Sequence, residues 1–215
     1  LEAKILDIAL VLHAEHGGGN NSTFTDRVVS STGTDTYSAI AAAIGALKGP
    51  KHGGANLQVM KQLDTLLAYG VNPEDACNVK EALRKILRKE IGDGSGLIYG
   101  IGHAVYTLSD PRAQILKNNS ASLEKKTHHE KEYNLLCAIE KYAPEVFLEE
   151  KGTNKTVCAN VDLFSGLIYR MLGIDDVLYT PIFAIARIGG WCAHRMEETE
   201  FANRIIRPAY KYIPR

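Results

Sequence analysis

The residues best suited to chemistry in this 215-residue chain are two histidines set among glycines and one aspartate set among apolar side chains. His52 lies in the run Gly49-Pro50-Lys51-His52-Gly53-Gly54-Ala55-Asn56. Gly-Pro stops the alanine-rich segment before it, and the glycine pair permits a sharp turn or the close approach of a ligand. The run from Asn56 onward reads as a helix, so His52 sits just before a helix N-terminus, where the dipole disfavours imidazolium. A neutral imidazole donates one hydrogen bond and accepts another at neutral pH. Taken alone, a loop histidine between two helices accounts for the same pattern. His103 follows Gly100-Ile101-Gly102, a loop that exposes backbone polar groups. That loop has neither the lysine of a phosphate-binding loop nor the strand of a dinucleotide fold, and a flexible interhelix turn fits it as well as a ligand loop does. Asp162 stands in Asn160-Val161-Asp162-Leu163-Phe164. Desolvation there would raise its pKa, which suits a base that takes a proton and returns it. The alternative is that Asn160 or Asp162 caps the following helix.

Three separated arginines could bind an anion: Arg112 behind Asp110-Pro111, Arg187 within an apolar run, and Arg207 before Pro208. A buried Arg187 needs an anionic partner, either an internal acid or a carboxylate substrate. Several planar guanidinium forks would suit a dicarboxylate. His13 and His16 are spaced to share one helix face, but no third ligand lies at a recognisable spacing, so no metal is expected. His128-His129 reads as solvated. The scattered cysteines, Cys77, Cys137, Cys158 and Cys192, read as reduced core thiols.

The elements that must hold these residues are helical. Leu1 to His13 has a broad apolar face and ends in a glycine cluster. Asn20 to Ser31 could open a helix at Thr23 or lie as a loop. Asp35 suits the N-cap of Ser38 to Leu47. Leu57 to Ala68 stops at Gly70, and Asn72-Pro73 is expected to start a helix running to about Lys89. Asp110-Pro111 starts another. Pro144 marks a junction within Thr127 to Glu149, Lys151 to Lys155 is a polar turn, and Val157 to Leu172 is apolar at helical spacing. A helix from Thr180 through Ala193 precedes a tail holding Arg204, Arg207, Lys211 and Arg215. Sustained period-two alternation and internal repeats are both missing, so the chain reads as all-α.

Composition narrows the function classes. Hydrophobic residues make up 45% and charged residues 23%, enough for a real core. Twenty-five basic residues balance twenty-five acidic ones, so no basic field is available to hold nucleic acid or an anionic membrane. The sequence has no apolar run of membrane-spanning length, and its start lacks the features of a signal peptide, which points to a cytoplasmic protein. The chain opens directly in a helical pattern without an initiator methionine, which suggests a fragment or a processed chain.

Taken in order, the segments His13–Asn20, Gly49–Asn56, Gly100–Ala113, Asn160–Gly166, Arg187–Gly190 and Arg207-Pro208 resemble the citrate synthase family. The resemblance spans essentially the whole chain but only the C-terminal half of the usual family length. It implies a multi-helical fold in which a small helical domain, 53–166, is inserted between two segments of a large one, 1–52 and 167–215. Domain closure is then expected to bring the two junctions together. By resemblance, the chain condenses acetyl-CoA with oxaloacetate to citrate in the tricarboxylic acid cycle. Asp162 is the base that removes a methyl proton, His52 the donor to the thioester oxygen, and His103 the donor to the ketone of oxaloacetate. His16, Asn20, Arg112 and Arg187 bind oxaloacetate. Arg207 resembles an arginine that reaches across a homodimer interface. Leu97, Ile98, Tyr99, Gly100, Ile101 and Gly102 form the loop whose backbone meets the coenzyme A adenine. Neither a metal nor a redox cofactor is implied. Gly17 departs from the family, which commonly has an acid there. 2-Methylcitrate synthase, acting on propionyl-CoA, is the nearest alternative, and a non-catalytic helical module that binds coenzyme A or a partner chain is the alternative of another class.

Overall fold

Residues 1–103, 105–152, 157–202 and 204–209 are described by the structure, a computed structural model. Among them the regular elements are helical, and the one extended pairing is an isolated antiparallel bridge between Ile101 and Ala159. No helix is long and apolar enough to cross a membrane. Thr153 to Lys155 of the expected polar turn, and Lys211 and Arg215 of the tail, lie outside the described residues.

The chain forms two compact units. The first combines Leu1–Leu12 with Gly54–Pro181. It holds most of α1 (Glu2–His13), then α4 (Ala55–Ala68), α5 (Ala76–Leu87), α6 (Pro111–Ser120), α7 (Glu124–Thr127), α8 (Glu130–Lys151) and α9 (Asp162–Met171). Helix α9 is its centre. Every residue from Leu163 to Tyr169 is buried, and α4, α6 and α8 all pack on it. Gly166 lets α4 come close: a Cβ there would stand 2.7 Å from Met60 Cγ and 3.0 Å from the Asn56 carbonyl oxygen. Helix α5 lies on α8 with Lys80, Arg84 and Arg88 paired to Glu145, Glu149 and Glu150. These pairs are solvent-exposed and screened, so the apolar face of α5, including Val79, Leu83 and Ile86, holds it in place.

The second unit combines His13–Gly53 with the chain from Ile182 onward. It contains α2 (Asn21–Ser30), α3 (Thr36–Leu47) and most of α10 (Tyr179–Phe201). Helix α2 packs on α3, and Ala43 and Leu47 of α3 form a core with Phe183 and Trp191 of α10. Burying a side chain the size of Leu47 or Phe183 stabilises the unit by about 1.5–3 kcal/mol. Asp35 caps α3 by accepting hydrogen bonds from the Ser38 N–H at 3.0 Å and the Ser38 hydroxyl at 2.6 Å.

Three local expectations are corrected, and one left open is decided. Helix α5 begins at Ala76 rather than beside Asn72, because Asp75 accepts from the N–H groups of both Cys77 and Asn78. Asn72 instead closes a turn by accepting from the Glu74 N–H. Pro144 is no junction: α8 runs through it for 22 residues. Its buried stripe, Leu135, Leu136, Ile139, Ala143 and Val146, carries the helix across the lost hydrogen bond. Asn21–Ser30 takes the helical one of the two forms left open, starting two residues before Thr23, and its polar residues Ser22, Thr23, Asp26 and Ser30 are buried. Helix α1 stops at His13 and the chain turns at Gly17 (φ 87°), so His13 and His16 share no helix face.

Candidate active site

The Gly49–Gly53 turn that carries His52 is held by backbone bonds from the His52 N–H to Gly49 O and from the Gly53 N–H to Leu47 O. Residue 53 must be glycine, since a Cβ there would collide with the Leu47 carbonyl oxygen. The His52 ring is half-buried, 6.4 Å from the Phe183 ring, with its Nε2 3.0 Å from Ser22 Oγ. Ser22 Oγ is also 3.0 Å from Asn20 Oδ1, and Arg187 Nη1 reaches the same Asn20 oxygen at 3.3 Å. Burial first, and the Arg187 charge second, push the imidazole pKa below its usual value. The ring is therefore neutral at pH 7, as expected, although through desolvation and a guanidinium rather than a helix dipole. Ser22 has one proton for two neighbours. Directed at Nε2, it leaves Nδ1 as the ring's donor; directed at Asn20, it makes Nε2 the donor instead.

Arg187 is buried, as its apolar surroundings imply. Its Nε donates to His13 O at 2.6 Å, and its guanidinium lies 4.8 Å from the centre of the Phe183 ring. His13 is itself buried and meets Phe183 edge-on at 4.6 Å. A cleft of about 510 Å³ opens beside this cluster, lined by Asn20, Asn21, Ala46, Gly49, Pro50, Lys51 and His52. In the same unit, the half-buried His16 donates its N–H to Glu15 Oε1 at 2.8 Å. Arg207 is exposed in the C-terminal segment.

The first unit carries the other group. Asp110 is fully buried and caps α6, accepting from the Arg112 N–H at 2.9 Å. The Arg112 side chain returns to the same carboxylate, with Nε 3.1 Å from Oδ1 and Nη2 2.8 Å from Oδ2. Burial opposes the charged form of Asp110, but the hydrogen bonds and charge of Arg112 outweigh it and hold the carboxyl below the usual range. His103 is placed against this pair. Its Nδ1 accepts from the N–H groups of Val105 at 2.9 Å and Tyr106 at 3.0 Å. Two donors on Nδ1 put the ring proton on Nε2, which lies 3.6 Å from Asp110 Oδ2 and 3.3 Å from Arg112 Nη2. Burial and the Arg112 charge depress the imidazole pKa, with Asp110 opposing them. Neutral His103 is thus an Nε2–H donor beside a guanidinium.

Asp162 is the half-buried first residue of α9. The segment before it pairs with the loop that leads to His103: the Gly102 N–H donates to Cys158 O at 2.7 Å, and the Asn160 N–H donates to Gly100 O at 2.9 Å. Gly100 (φ 80°) lies flat on Leu163, where a Cβ would sit 2.8–3.0 Å from that residue's atoms. Residues 97–99 are held from α4. Gln62 Nε2 donates to Leu97 O at 2.9 Å, and Gln62 Oε1 accepts the Tyr99 N–H at 3.1 Å. The Tyr99 hydroxyl donates to Asp93 at 2.6 Å. Ile98 is buried and Leu97 exposed.

The structure thus gathers His52, Asn20 and Arg187 in one unit, and His103, Arg112 and the Asp162 segment in the other. Ser22, Asp110 and Gln62 were missed as positioning groups. Asp110 carried a signal, an acid two residues before an arginine, that also reads as a plain helix start. Among the described residues no cluster of three His, Cys, Asp or Glu side chains could hold a metal ion.

Comparison with known proteins agrees across the chain. Residues 1–209 match the family model "Citrate synthase, C-terminal domain". A citrate synthase of Haloferax volcanii is 44% identical over 98% of this chain and 50% of its own length. A 2-methylcitrate synthase of Shewanella oneidensis is 39% identical over 99% of this chain and 51% of its own length. Among solved structures, a Thermoplasma acidophilum citrate synthase in ternary complex with carboxymethyl coenzyme A and oxaloacetate superposes with a TM-score of 0.80 at 32% identity. It is covered over 52% of its length, and this chain over 100%. The chain spans about half the length of the relatives it matches.

Proposed function

Because the chain belongs to the citrate synthase family, we propose that it forms the C-terminal half of an enzyme that condenses acetyl-CoA with oxaloacetate. The observation that supports this is that burial favours the neutral, donating form of both histidines, while Asp162, the residue proposed as base, stands at the head of α9. Asp162 takes one methyl proton of acetyl-CoA, and the C–H electron pair becomes the enol double bond. His52 donates to the thioester oxygen as charge develops there. This role requires the Ser22 proton to point at Nε2, leaving Nδ1–H for the substrate. The enol carbon attacks the ketone carbon of oxaloacetate. The ketone π pair moves to its oxygen, which meets the His103 Nε2–H. Water then cleaves the citryl thioester, and coenzyme A leaves as the thiol.

Arg112, Arg187, Asn20 and His16 bind the two carboxylates of oxaloacetate, and the backbone of 97–102 binds coenzyme A. The chemistry needs no metal or redox cofactor. A homodimer in which Arg207 serves the neighbouring subunit, a cytoplasmic location, and the division into 1–52, 53–166 and 167–215 belong to the same proposal. A second reading has a specific support in the 39% identity to a 2-methylcitrate synthase. One methylene shifts binding by about 1–3 kcal/mol, so the two readings separate by turnover with acetyl- against propionyl-CoA.

The test is coenzyme A release by the full chain given oxaloacetate and acetyl-CoA, beside Asp162→Asn. Wild type should turn over and the variant should lose about 10²–10⁴-fold in kcat, the usual contribution of a general base. A wild-type protein with neither condensation nor methyl proton exchange, even with the N-terminal half supplied, would remove the enzyme reading.

A further inference from the structure

Asp162 and His103 lie far apart in sequence, yet one side chain touches the backbone of both segments. Asn160 Oδ1 accepts the Asp162 N–H at 3.0 Å. The other end of the same amide, Nδ2, donates to Gly102 O at 3.0 Å. Gly102 immediately precedes His103, and Asp162 is the first residue of α9. Asn160 also donates its backbone N–H to Gly100 O and accepts the Leu163 N–H on its carbonyl. An amide is suited to this task because it has a donor and an acceptor on one rigid plane. Aspartate would offer two acceptors and face the Gly102 carbonyl with a repulsive oxygen. Alanine would leave both partners to the backbone bridge alone.

We propose that Asn160 is a positioning residue that sets the His103 loop against Asp162. The proposal rests on the reading of function given above, in which Asp162 removes the proton and His103 receives the developing alkoxide. The two ends of the amide do unequal work. Asp162 is mounted on a helix buried from Leu163 to Tyr169, so its place is fixed by the core even without the Asn160 bond. The segment Gly100–His103 has no such core. Gly100 packs on Leu163 and the His103 ring meets the Val105 and Tyr106 N–H groups and the Asp110–Arg112 pair, while the backbone just before His103 is tied by the bridge to 158–160 and by the Asn160 amide. Loss of the amide therefore displaces the group that holds the electrophile more than the group that takes the proton. A misplacement of about 1 Å in a reacting array costs about 10²-fold in rate.

The experiment separates the two half-tasks in the full chain. Proton abstraction is read as exchange of the acetyl-CoA methyl protons into D₂O in the presence of 2-hydroxysuccinate, which has no ketone to attack. Condensation is read as coenzyme A release with oxaloacetate. For Asn160→Ala, condensation should fall about 30–100-fold while exchange falls less than about 3-fold. Asn160→Asp keeps the acceptor for the Asp162 N–H and loses the donor to Gly102, so it should show the same split. A purely structural role predicts that both rates fall by one common factor, and that result overturns the proposal, as does an unchanged condensation rate. If Asn160→Ala does not fold, Asn160→Asp carries the test. If neither folds, Asn160 is a structural residue and the proposal is wrong. Wild-type protein inactive in both assays, even with the N-terminal half supplied, would instead sink the functional reading beneath it.

Discussion

The two histidines are kept neutral by the same means, burial and a neighbouring guanidinium, but are aimed by different ones. His103 stands in the first unit against full charges: a buried carboxylate, its guanidinium partner, and two backbone N–H groups that fix the tautomer. His52 stands in the second unit on neutral groups, a serine hydroxyl and behind it an asparagine carbonyl, with the Arg187 charge one step removed. Two backbone donors fix the His103 tautomer, and the charged pair beside it is costly to break. A hydroxyl relay leaves the tautomer open until a substrate selects it.

Three substitutions would sharpen or break that contrast. The largest effect is expected at Asp110. Asp110→Asn leaves Arg112 partly buried beside His103 without its carboxylate, and breaking such a pair costs about 3–5 kcal/mol. Chemical denaturation should show that loss, and turnover should fall with it. A change under about 1 kcal/mol would mean that the charged pair is ornamental.

The next effect concerns the charge buried in the second unit. Asp26 is fully buried, and among the described residues neither of its oxygens has a hydrogen-bond partner. Burial raises its pKa from 3.8 to about 6, against the opposing charges of Arg195 and His194 and with help from Glu198. Between those values the folded chain keeps a proton that the unfolded chain has lost, so stability falls as pH rises through about 4 to 6. His52 and His103 act with the opposite sign. Their depressed pKa values mean that protonation below the ordinary value of 6.5 favours the unfolded chain, so stability falls as pH drops. Asp26→Asn should remove the first slope, keep the second, and stabilise the protein at pH 7 by on the order of 2–3 kcal/mol. Denaturation midpoints from pH 4 to 7 decide this, and an unchanged slope would place the proton elsewhere.

The smallest effect is expected at Ser22. Ser22→Ala removes one neutral hydrogen bond to His52, worth about 1 kcal/mol, so kcat should fall about 5–10-fold with KM nearly constant. A loss as large as that of Asp110→Asn would erase the distinction between the two supports.

The sequence made the helices and the chemically able side chains legible, because apolar spacing, Gly-Pro punctuation and acid caps are local signals. Asp35 and Asp110 cap their helices as their positions imply, and Arg187 is buried as its apolar neighbours imply. The supports were not legible, because each is a contact across a long stretch of chain. Ser22 is thirty residues from His52 and reads as one more polar residue of a serine-rich segment. Gln62 reads as an ordinary helix residue until the loop it clamps, some thirty-five residues later, is folded onto it. Local signals also compete. Asn72-Pro73 and Asp75 each announce a helix start, and the acid with two N–H groups within reach prevails. Pro144 failed as a breaker because a buried stripe on either side outweighs one missing bond.

Burial of α9 along its length has a consequence for motion. Elements enclosed on all sides open only when the whole unit opens, whereas a loop tied by a few bonds opens on its own. The carboxylate at residue 162 therefore rides on a stationary post. Adjustment to an arriving ligand within that unit falls to the glycine-hinged segment ahead of residue 103, whose backbone turns at Gly100 and Gly102 with φ of 80° and 106°.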